Sequence, residues 1–385
     1  MISCGEPSGD MYAGELARHI RLQEPSAVIT GFGGERLRAA GAELLGDFSG
    51  LSVTGLLEVV HILPRTLQIY RRLVAAAKAD RPDVFVAIDF PDFNFRLAHA
   101  VGRLGVPVVY YISPQLWAWR PGRMKTMRRL ADRVLVIFPF EERIYQDAGV
   151  PVEWVGHPLL DVMPPSRSKS EIATELGLDA DKPIVALLPG SRRNEVGAIL
   201  PDLVDAGEEI RRRLPGVQFV LARAPHVATD LLQPLERLDP PALIVEGRAD
   251  DVLAVADVAL VASGTITVQA ALHECPMVVV YRLSALTYRL GRRFVRVDTF
   301  AMANLVAGKR VVPELIQDDF TPGRVASEAL EILTDPERRA GMRRELAEVR
   351  ARLGTPGASA RAARAVLQVA RQPHPSGPST RSGPA

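Results

Sequence analysis

Short, uninterrupted apolar segments recur along this chain, and most are followed by a small-residue turn and an amphipathic helix. Clear examples are "DVFVAID" (83–89), "PVVYYIS" (107–113) and "KPIVALL" (182–188). A strand that is apolar without alternation is expected where helices cover both faces of a sheet, and such sheets are parallel. The chain is therefore predicted to be an α/β protein built from doubly wound sheets.

The pattern runs twice, which predicts two Rossmann-like domains that face a cleft. A chain of 385 residues is too long for one ordinary domain, and a segment rich in Pro and Ser interrupts the pattern near its middle. The predicted parts are a first domain (1–163), a linker (164–170), a second domain (171–320), carboxyl-terminal helices (321–370) and a polar tail (371–385) that is not expected to pack.

The composition is that of a globular protein, with 47% hydrophobic and 24% charged residues. No apolar run approaches the roughly 20 residues that span a bilayer, and no signal-peptide pattern opens the chain, so a cytoplasmic location is expected. The two cysteines, Cys4 and Cys275, are too few for a disulfide framework or a cysteine zinc site. No metal or other cofactor is predicted, because HExxH and clustered carboxylate patterns are missing from the sequence.

Two basic segments stand out, although the net charge is only +2. They span 120–133 and 282–298, and each contains aromatic residues or lies beside them. Basic and aromatic side chains together suit an anionic membrane surface or an anionic ligand, whereas a basic run more often marks a solvated helix face. A lipid surface is therefore a predicted partner, and nucleic acid is not.

The strongest local signal for ligand binding is "LLPGSRRNEVG" (187–197). A buried strand ends at Gly190, and a helix is predicted to begin at Ser191, with Glu195 in its first turns. The free N–H groups of that helix, its dipole and the Arg192 guanidinium are predicted to converge on a phosphate. The alternative is an N-capping serine beside a surface arginine.

The segment "ASGTITVQ" (262–269) repeats this arrangement. A strand delivers Ser263, Gly264 and Thr265 to a second helix start, and Gln269, one helical turn later, is predicted to reach a ribose hydroxyl. Both turns belong to the carboxyl edge of the predicted sheet, where nucleotides bind in this fold. Neither is a GxxxxGK[ST] loop and no GxGxxG follows a strand, which disfavours ATP hydrolysis and dinucleotide redox chemistry.

The first half offers a candidate general base. In "VAIDFPDFNF" (86–95), Asp89 stands at a predicted strand end, and Asp92 and Asn94 follow in the turn. A carboxylate at that position is well placed to accept a proton, or it caps the next helix. The residues alone do not decide which of Asp89 and Asp92 is the base.

A further candidate segment, "SPQLWAWR", follows the next predicted strand and opens onto the same edge. Its Ser113, Trp117, Trp119 and Arg120 are predicted to form a binding surface for a ligand that is both apolar and acidic.

A long series of segments resembles, in order, the lipid-A-disaccharide synthases. They are "GEPSGD", "GFGGERLRAAG", "LSVTGLLEVV", "IDFPDFN", "YYISPQLWAWRPGR", "FPFEERIY", "VGHPLLD", "LLPGSRRNEV", "ASGTITVQAAL", "CPMVVVYR" and "ANLVAG". The resemblance covers most of the chain, from about 5 to about 319. It implies the GT-B glycosyltransferase fold, a metal-independent reaction and a donor nucleotide held mainly by the second domain.

The resemblance also implies substrates. UDP-2,3-diacylglucosamine donates its sugar, with inversion, to the 6-hydroxyl of 2,3-diacylglucosamine 1-phosphate, giving a β-1,6 disaccharide and UDP at the inner leaflet of a Gram-negative envelope. By matching motifs, Asp89 would be the base, and Arg192 with the helix starts at Ser191 and Ser263 would stabilise the departing UDP. Asn304, in "ANLVAG", matches a cleft asparagine on the donor side.

With the donor assigned to the second domain, the opening segment "GEPSGD" is expected to line the acceptor side. Its candidate residues are Glu6, Ser8, Gly9 and Asp10. The strand that precedes Gly5 is unusually short, so it is either clipped or continued upstream of the first residue.

One residue departs from the family pattern. Gln269 stands where the family usually has a glutamate that binds the ribose, so a weaker hold on the donor is expected. Alternatives to the synthase are a UDP-sugar epimerase, a glycosyltransferase with another lipid acceptor, and a non-catalytic peripheral lipid-binding relative. The oligomeric state also stays open, with a homodimer as one alternative.

Overall fold

The computed structural model describes residues 1–48, 56–119, 121–225, 227–282 and 299–372. The chain divides into two compact units, one formed by Met1–Asp161 with the segment from Thr355 onward and the other by Val162–Gly354. Each unit is built around its own parallel sheet.

The sheet of the first unit contains seven strands within the described residues, in the order β3-β2-β1-β4-β5-β6-β7. The strands are β1 (Ile2–Cys4), β2 (Thr30–Gly33), β3 (Glu43–Asp47), β4 (Phe85–Ile88), β5 (Val108–Tyr111), β6 (Arg133–Val136) and β7 (Val152–Trp154). The helices up to the second sheet are α1 (Pro7–Gln23), α2 (Glu35–Ala39), α3 (Leu56–Ala79), α4 (Pro91–Gly102), α5 (Leu116–Trp119), α6 (Met124–Leu130), α7 (Pro139–Asp147), α8 (Leu159–Val162) and α9 (Lys169–Leu176), with a 3-10 turn at Pro121–Arg123.

The sheet of the second unit contains six strands within the described residues, in the order β10-β9-β8-β11-β12-β13. The strands are β8 (Ile184–Leu188), β9 (Gln218–Arg223), β10 (Leu243–Glu246), β11 (Val258–Ala262), β12 (Met277–Tyr281) and β13 (Glu314–Ile316). The helices that follow β8 along the chain are α10 (Arg193–Arg213), α11 (Ala249–Val255), α12 (Thr265–Leu272), α13 (Met302–Ala307), α14 (Pro322–Thr334), α15 (Pro336–Arg352) and α16 (Ala358–Arg371), with 3-10 segments at Thr229–Arg237 and Gln317–Asp319.

The central strands are buried along their whole length, as their continuous apolar character predicts. Every residue of β4, β5, β8 and β11 is buried. All strand pairs in both sheets are parallel. Burial of apolar surface on both faces supplies most of the stabilisation of such a sheet, at roughly 25 cal/mol per Å² removed from water. The prediction of doubly wound parallel sheets is confirmed.

The carboxyl-terminal helices are shared between the units. Helices α14 and α15 belong to the second unit, whereas α16 returns to the first and packs on α1. Asp161 ends the first part of the chain and accepts hydrogen bonds from the N–H groups of Gly357, Ala358 and Ser359. A carboxylate at a helix N-terminus satisfies donors that have no partner within the helix, so Asp161 fixes α16 to the first unit.

None of the helices within the described residues combines the length and the apolar character that a membrane crossing requires.

Candidate active site

The first unit collects most of its predicted site residues at one edge of its sheet. Strands β1, β4 and β5 are neighbours and run parallel. Their carboxyl ends therefore place the turns at 5–10, 89–94 and 113–117 side by side, at the edge where ligands bind in doubly wound sheets.

The Asp10 side chain has a structural role. It is buried, and its carboxylate accepts hydrogen bonds from three backbone N–H groups at the start of α2: Gly34 (2.7 Å), Arg36 (2.9 Å) and Leu37 (3.1 Å). Buried backbone donors without a partner are costly. The Asp10 carboxylate therefore joins α1 to α2, and this role alone accounts for an aspartate at this position.

Asn94 is also committed to the fold. Its side chain is fully buried, and its Nδ2 lies within hydrogen-bond distance of the carbonyls of Ser3 (3.2 Å), Ile88 (3.1 Å) and Asp89 (2.8 Å). Its Oδ1 accepts a hydrogen bond of 2.7 Å from the Ser3 hydroxyl. These contacts hold the ends of β1 and β4 together and fix the backbone that carries Asp89.

Asp89 stands on an unusual backbone. Asp89 and Phe90 both have left-handed dihedrals, with φ values of 44° and 49°. A non-glycine residue in that region costs of order 1–3 kcal/mol and persists only where its surroundings impose it. Here the Asp89 carbonyl accepts hydrogen bonds from Tyr110 Oη and Asn94 Nδ2, both at 2.8 Å. A Cβ on Gly5 would lie 2.3 Å from the Phe90 ring, so glycine is required opposite this turn.

The strained turn leaves the Asp89 side chain only partly buried. Burial first, and the Asp89 carboxylate second, raise the pKa of Tyr12, so the charge of Asp89 is felt on the neighbouring helix α1. Asp92 differs: it lies in the first turn of α4, its side chain is 72% exposed, and it forms an ion pair of 2.9 Å with Arg123.

Glu6, Ser8 and Gly9 form the start of α1. Glu6 is the N-cap residue, and both Glu6 and Ser8 are partly exposed. Gly9 is buried, and a Cβ on it would lie 3.4 Å from the Cβ of Cys4. The helix therefore packs closely on the end of β1, with Glu6 and Ser8 at its accessible end.

A buried polar group follows β5 and β6. Ser113 is hydrogen-bonded to the Tyr145 hydroxyl, and Trp117 Nε1 donates to the carboxyl of Glu141 at 3.2 Å. Glu141 is buried, and burial raises its pKa from 4.5 to about 8, so the carboxyl is neutral at pH 7. Trp119 belongs to α5, but its side chain and the whole of Arg120 lie outside the described residues.

His157 is buried in the same unit, and burial lowers its pKa to about 3. Its Nδ1 accepts a hydrogen bond from the Leu159 N–H, and its ring packs against Tyr12 and Phe138. It is therefore a neutral packing residue, consistent with its absence from the predicted site.

In the second unit, the ends of β8 and β11 are adjacent, with Leu188 opposite Val261. Gly190 has a φ of 113°, which favours glycine, and a Cβ there would lie 2.8 Å from a carboxylate oxygen of Glu195. Helix α10 begins at Arg193 with Arg192 at the N-cap, so the prediction that it begins at Ser191 is wrong by two residues. The reason is local: the Glu195 carboxylate accepts the Arg192 N–H at 3.4 Å and its guanidinium at 2.9 Å.

The second turn is open. Gly264 is the N-cap residue of α12, with a φ of 154°, and the described residues place no atom within 4 Å of its Cβ position. Ser263 is partly buried, and Thr265, the first residue of the helix, is exposed. A ligand could therefore approach the backbone closely at this point.

Gln269 has a partner that the sequence did not suggest. Its Nε2 donates to Asp250 Oδ1 at 2.7 Å, and His273 Nε2 lies 2.8 Å from the same oxygen. Burial would raise the pKa of Asp250, but the hydrogen bonds from His273 and Gln269 outweigh it and lower the pKa. Asp250 therefore remains ionised.

The Asn304 side chain forms hydrogen bonds to residues that follow it in the chain. It is buried, its Nδ2 donates to the Val312 carbonyl (2.9 Å) and to Glu314 (2.6 Å), and its Oδ1 accepts from Val311 N (2.7 Å) and Val312 N (3.0 Å). These bonds fix the chain that leads into β13.

Sequence reasoning missed Glu141, Tyr145 and Asp250. The first two lie in "FPFEERIY", one of the segments on which the family resemblance rests. A glutamate at a helix start is usually a charged surface residue, so the sequence does not predict a buried carboxyl there. Asp250 lies 19 residues before Gln269, and no local pattern connects the two.

Comparison with known proteins agrees with these observations. A family model described as LpxB, lipid-A-disaccharide synthetase, matches residues 1–369. The lipid-A-disaccharide synthase of Myxococcus xanthus (strain DK1622) is 44% identical over 370 residues, covering 96% of this chain and 97% of the relative. That of Koribacter versatilis (strain Ellin345) is 44% identical over 379 residues, covering 97% and 98%.

Solved structures show the fold. A Staphylococcus aureus MnaA structure with UDP aligns with a TM-score of 0.67 at 16% identity, covering 94% of each chain. UDP-GlcNAc 2-epimerase from Neisseria meningitidis, bound to UDP-GlcNAc, aligns at 0.62 with 14% identity, covering 89% of this chain and 99% of that one. The glycosyltransferase of kitacinnamycin aligns at 0.62 with 19% identity, covering 96% and 98%. The predicted GT-B fold is confirmed.

Proposed function

This chain belongs to the lipid-A-disaccharide synthetase family, and from that premise we propose how its residues carry out the reaction. The protein is a glycosyltransferase of lipid A biosynthesis, which joins a sugar from a UDP-sugar to a lipid A precursor. We take the donor to be UDP-2,3-diacylglucosamine and the acceptor to be 2,3-diacylglucosamine 1-phosphate. The acceptor 6-hydroxyl forms a bond to the anomeric carbon as the bond from that carbon to UDP breaks, with inversion.

Asp89 is the proposed general base, which takes the proton of the acceptor hydroxyl. The observation that carries this assignment is the strained turn at a strand end, where Tyr110 and Asn94 hold the backbone while the carboxylate stays partly exposed. Strain of this kind clusters at functional sites. Asp92 is less suited, because it is mostly exposed and paired with Arg123. A positioned base typically contributes about 10²- to 10⁴-fold in rate.

The two glycine turns of the second unit are proposed to bind the UDP diphosphate. Gly264 permits close backbone approach, Gly190 has the positive φ that its turn requires, and the N-terminal end of the long helix α10 favours negative charge. Arg192 is 47% exposed, and its contact with Glu195 is a surface ion pair worth at most about 1 kcal/mol. Its guanidinium can therefore exchange that carboxylate for the diphosphate and stabilise the leaving group.

The acceptor side is proposed to consist of Glu6, Ser8, Ser113 and Trp117. Glu6 and Ser8 stand at the accessible end of α1, and the Trp117 indole is fixed by Glu141. Asp10 and Asn94 serve this side indirectly, because they hold the turns in place.

We also propose that the protein works at an anionic membrane surface. Helix α3 exposes Leu63 (58%) and Leu67 (44%) one turn apart, next to exposed Arg71 and Arg72. Exposed apolar side chains insert into the membrane–water interface. Each lysine or arginine near an anionic lipid surface adds about 1 kcal/mol to the free energy of membrane binding. Replacing both leucines by serine should reduce co-sedimentation with phosphatidylglycerol vesicles, while the control Leu22→Ser, a 65% exposed leucine on α1, should not. Equal binding by both variants would contradict a role for α3.

The activity itself is tested by supplying both diacylated sugars and following UDP release and the mass of the lipid product. The expected product is the phosphorylated disaccharide carrying all four acyl chains. An epimerised sugar from UDP-GlcNAc without disaccharide would favour an epimerase. Vesicle binding without UDP release would favour a non-catalytic lipid-binding relative.

A further inference from the structure

Asp250 connects helices α11 and α12 of the second unit. It lies in the first turn of α11, and its Oδ1 accepts a hydrogen bond from Gln269 Nε2 (2.7 Å) on α12 and lies 2.8 Å from Nε2 of His273, the C-cap residue of α12. Gln269 and His273 are four residues apart and so share one face of α12. The side chain of Asp250 is 33% exposed and that of His273 is 11% exposed, so the contact is largely shielded from water.

The chemistry of the contact fixes the orientation of the Gln269 amide. An ionised carboxylate only accepts hydrogen bonds, so the nitrogen of the amide must face Asp250. The amide plane then directs the carbonyl oxygen, Oε1, away from Asp250. The acceptor of the Gln269 amide is thereby held on the side that faces away from Asp250.

We propose that Asp250 is a positioning residue of the donor site, which holds Gln269 so that its Oε1 accepts a hydrogen bond from a sugar hydroxyl of the nucleoside diphosphate. This inference rests on the proposed binding of UDP at the turn formed by Ser263, Gly264 and Thr265. Asp250 supplies the charge, Gln269 makes the contact with the hydroxyl, and His273 holds the same oxygen of Asp250.

The two residues are matched in charge. A glutamate at position 269 would bring a second carboxylate to about 3 Å from that of Asp250, and two carboxylates at that distance cannot both be ionised without a large penalty. An asparagine at position 250, by contrast, can donate its amide hydrogen to a glutamate at position 269. The double substitution Asp250→Asn with Gln269→Glu should therefore impair donor binding less than Gln269→Glu alone.

A double-mutant cycle tests the proposal, with KM for the UDP-sugar, kcat and calorimetric affinity for UDP measured on the full chain. Asp250→Asn should raise KM by less than about 3-fold, and Gln269→Glu should raise it by at least about 10-fold, with kcat within about 2-fold in both. Asp250→Asn combined with Gln269→Glu should return KM to within about 3-fold of the unmodified protein. Thermal melting of all four proteins separates loss of fold from loss of donor binding.

Three outcomes would contradict the Asp250 assignment. If the effects of the two substitutions on KM simply multiply, Asp250 does not orient Gln269, and the proposal is wrong. If Gln269→Glu leaves UDP affinity and KM unchanged while Arg192→Ala weakens both, the donor site stands and only the Asp250 assignment fails. If the unmodified protein does not bind UDP, the donor site is wrong, and the Asp250 assignment fails with it.

Discussion

The two units use the same strand–turn–helix arrangement in different ways. In the first unit, Asp10 and Asn94 are buried and bonded to backbone groups. In the second unit, Arg192 and Thr265 remain exposed at helix starts. Polar residues in a turn thus stabilise the turn itself in one unit and remain accessible to a ligand in the other.

The length of the first strand helps to explain this difference. Strand β1 contains three residues, yet it pairs with both β2 and β4 at the centre of its sheet. Few ladder hydrogen bonds are available to so short a strand, and side chains supply others: Ser3 bonds to Asn94 through both its hydroxyl and its carbonyl. The five-residue strands β8 and β11 have longer ladders.

The largest predicted effect on stability belongs to Asp10→Ala. The change leaves three N–H groups at the start of α2 without the carboxylate, so the free energy of unfolding should fall by about 3 kcal/mol or more. Urea denaturation measures the loss, and Ser8→Ala on the same turn is the control that should stay within about 0.5 kcal/mol. Equal stability of both variants would mean that the Asp10 carboxylate is not needed by the fold.

The opposite behaviour is expected in the second unit. Arg192→Ala should lower kcat/KM about 100-fold, because the departing diphosphate loses its cation, while the melting temperature stays unchanged. Arg193→Ala is a matched control: Arg193 is 63% exposed and pairs with Asp230, so activity should stay close to that of the unmodified protein. A similar loss of activity in both variants would indicate a general electrostatic effect of this helix start.

A smaller effect should appear as a pH dependence of stability in the first unit. Burial raises the pKa of Glu141 from 4.5 to about 8. Between these values the folded protein holds a proton that the unfolded chain releases, so stability falls as the pH rises, by up to about 1.4 kcal/mol per pH unit. Glu141→Gln removes the titration, so the variant should gain stability relative to the parent from pH 5 to pH 8. Denaturation curves that shift in parallel with pH would contradict a neutral Glu141.

The sequence was informative where its pattern is local. The apolar runs identify the buried strands, and glycine marks the turns at Gly190 and Gly264. It could not separate Asp10 from Asp89, because both are aspartates in a segment that follows a predicted strand. The difference depends on N–H groups of α2, which lie 24 to 27 residues from Asp10 in the chain.

Two features that the sequence did not predict have different causes, one local and one that depends on the folded chain. Serine is a favoured N-cap residue, so the sequence predicts a helix start at Ser191, but Glu195 bonds to Arg192 and the helix begins at Arg193. Glu141 becomes neutral because burial raises its pKa more than the hydrogen bond from Trp117 lowers it. A contact between residues three apart decides the first outcome, whereas burial in the folded chain decides the second.

The decisive comparison is between Asp89 and Asp92, two carboxylates three residues apart in one turn. Steady-state turnover of the two diacylated sugars should fall about 1,000-fold in Asp89→Asn, with unchanged UDP affinity and melting temperature. The same substitution at Asp92, which is exposed and paired with Arg123, should leave turnover within about 3-fold. Near-normal turnover in Asp89→Asn, or its collapse in Asp92→Asn, would contradict the assignment of Asp89 as the base.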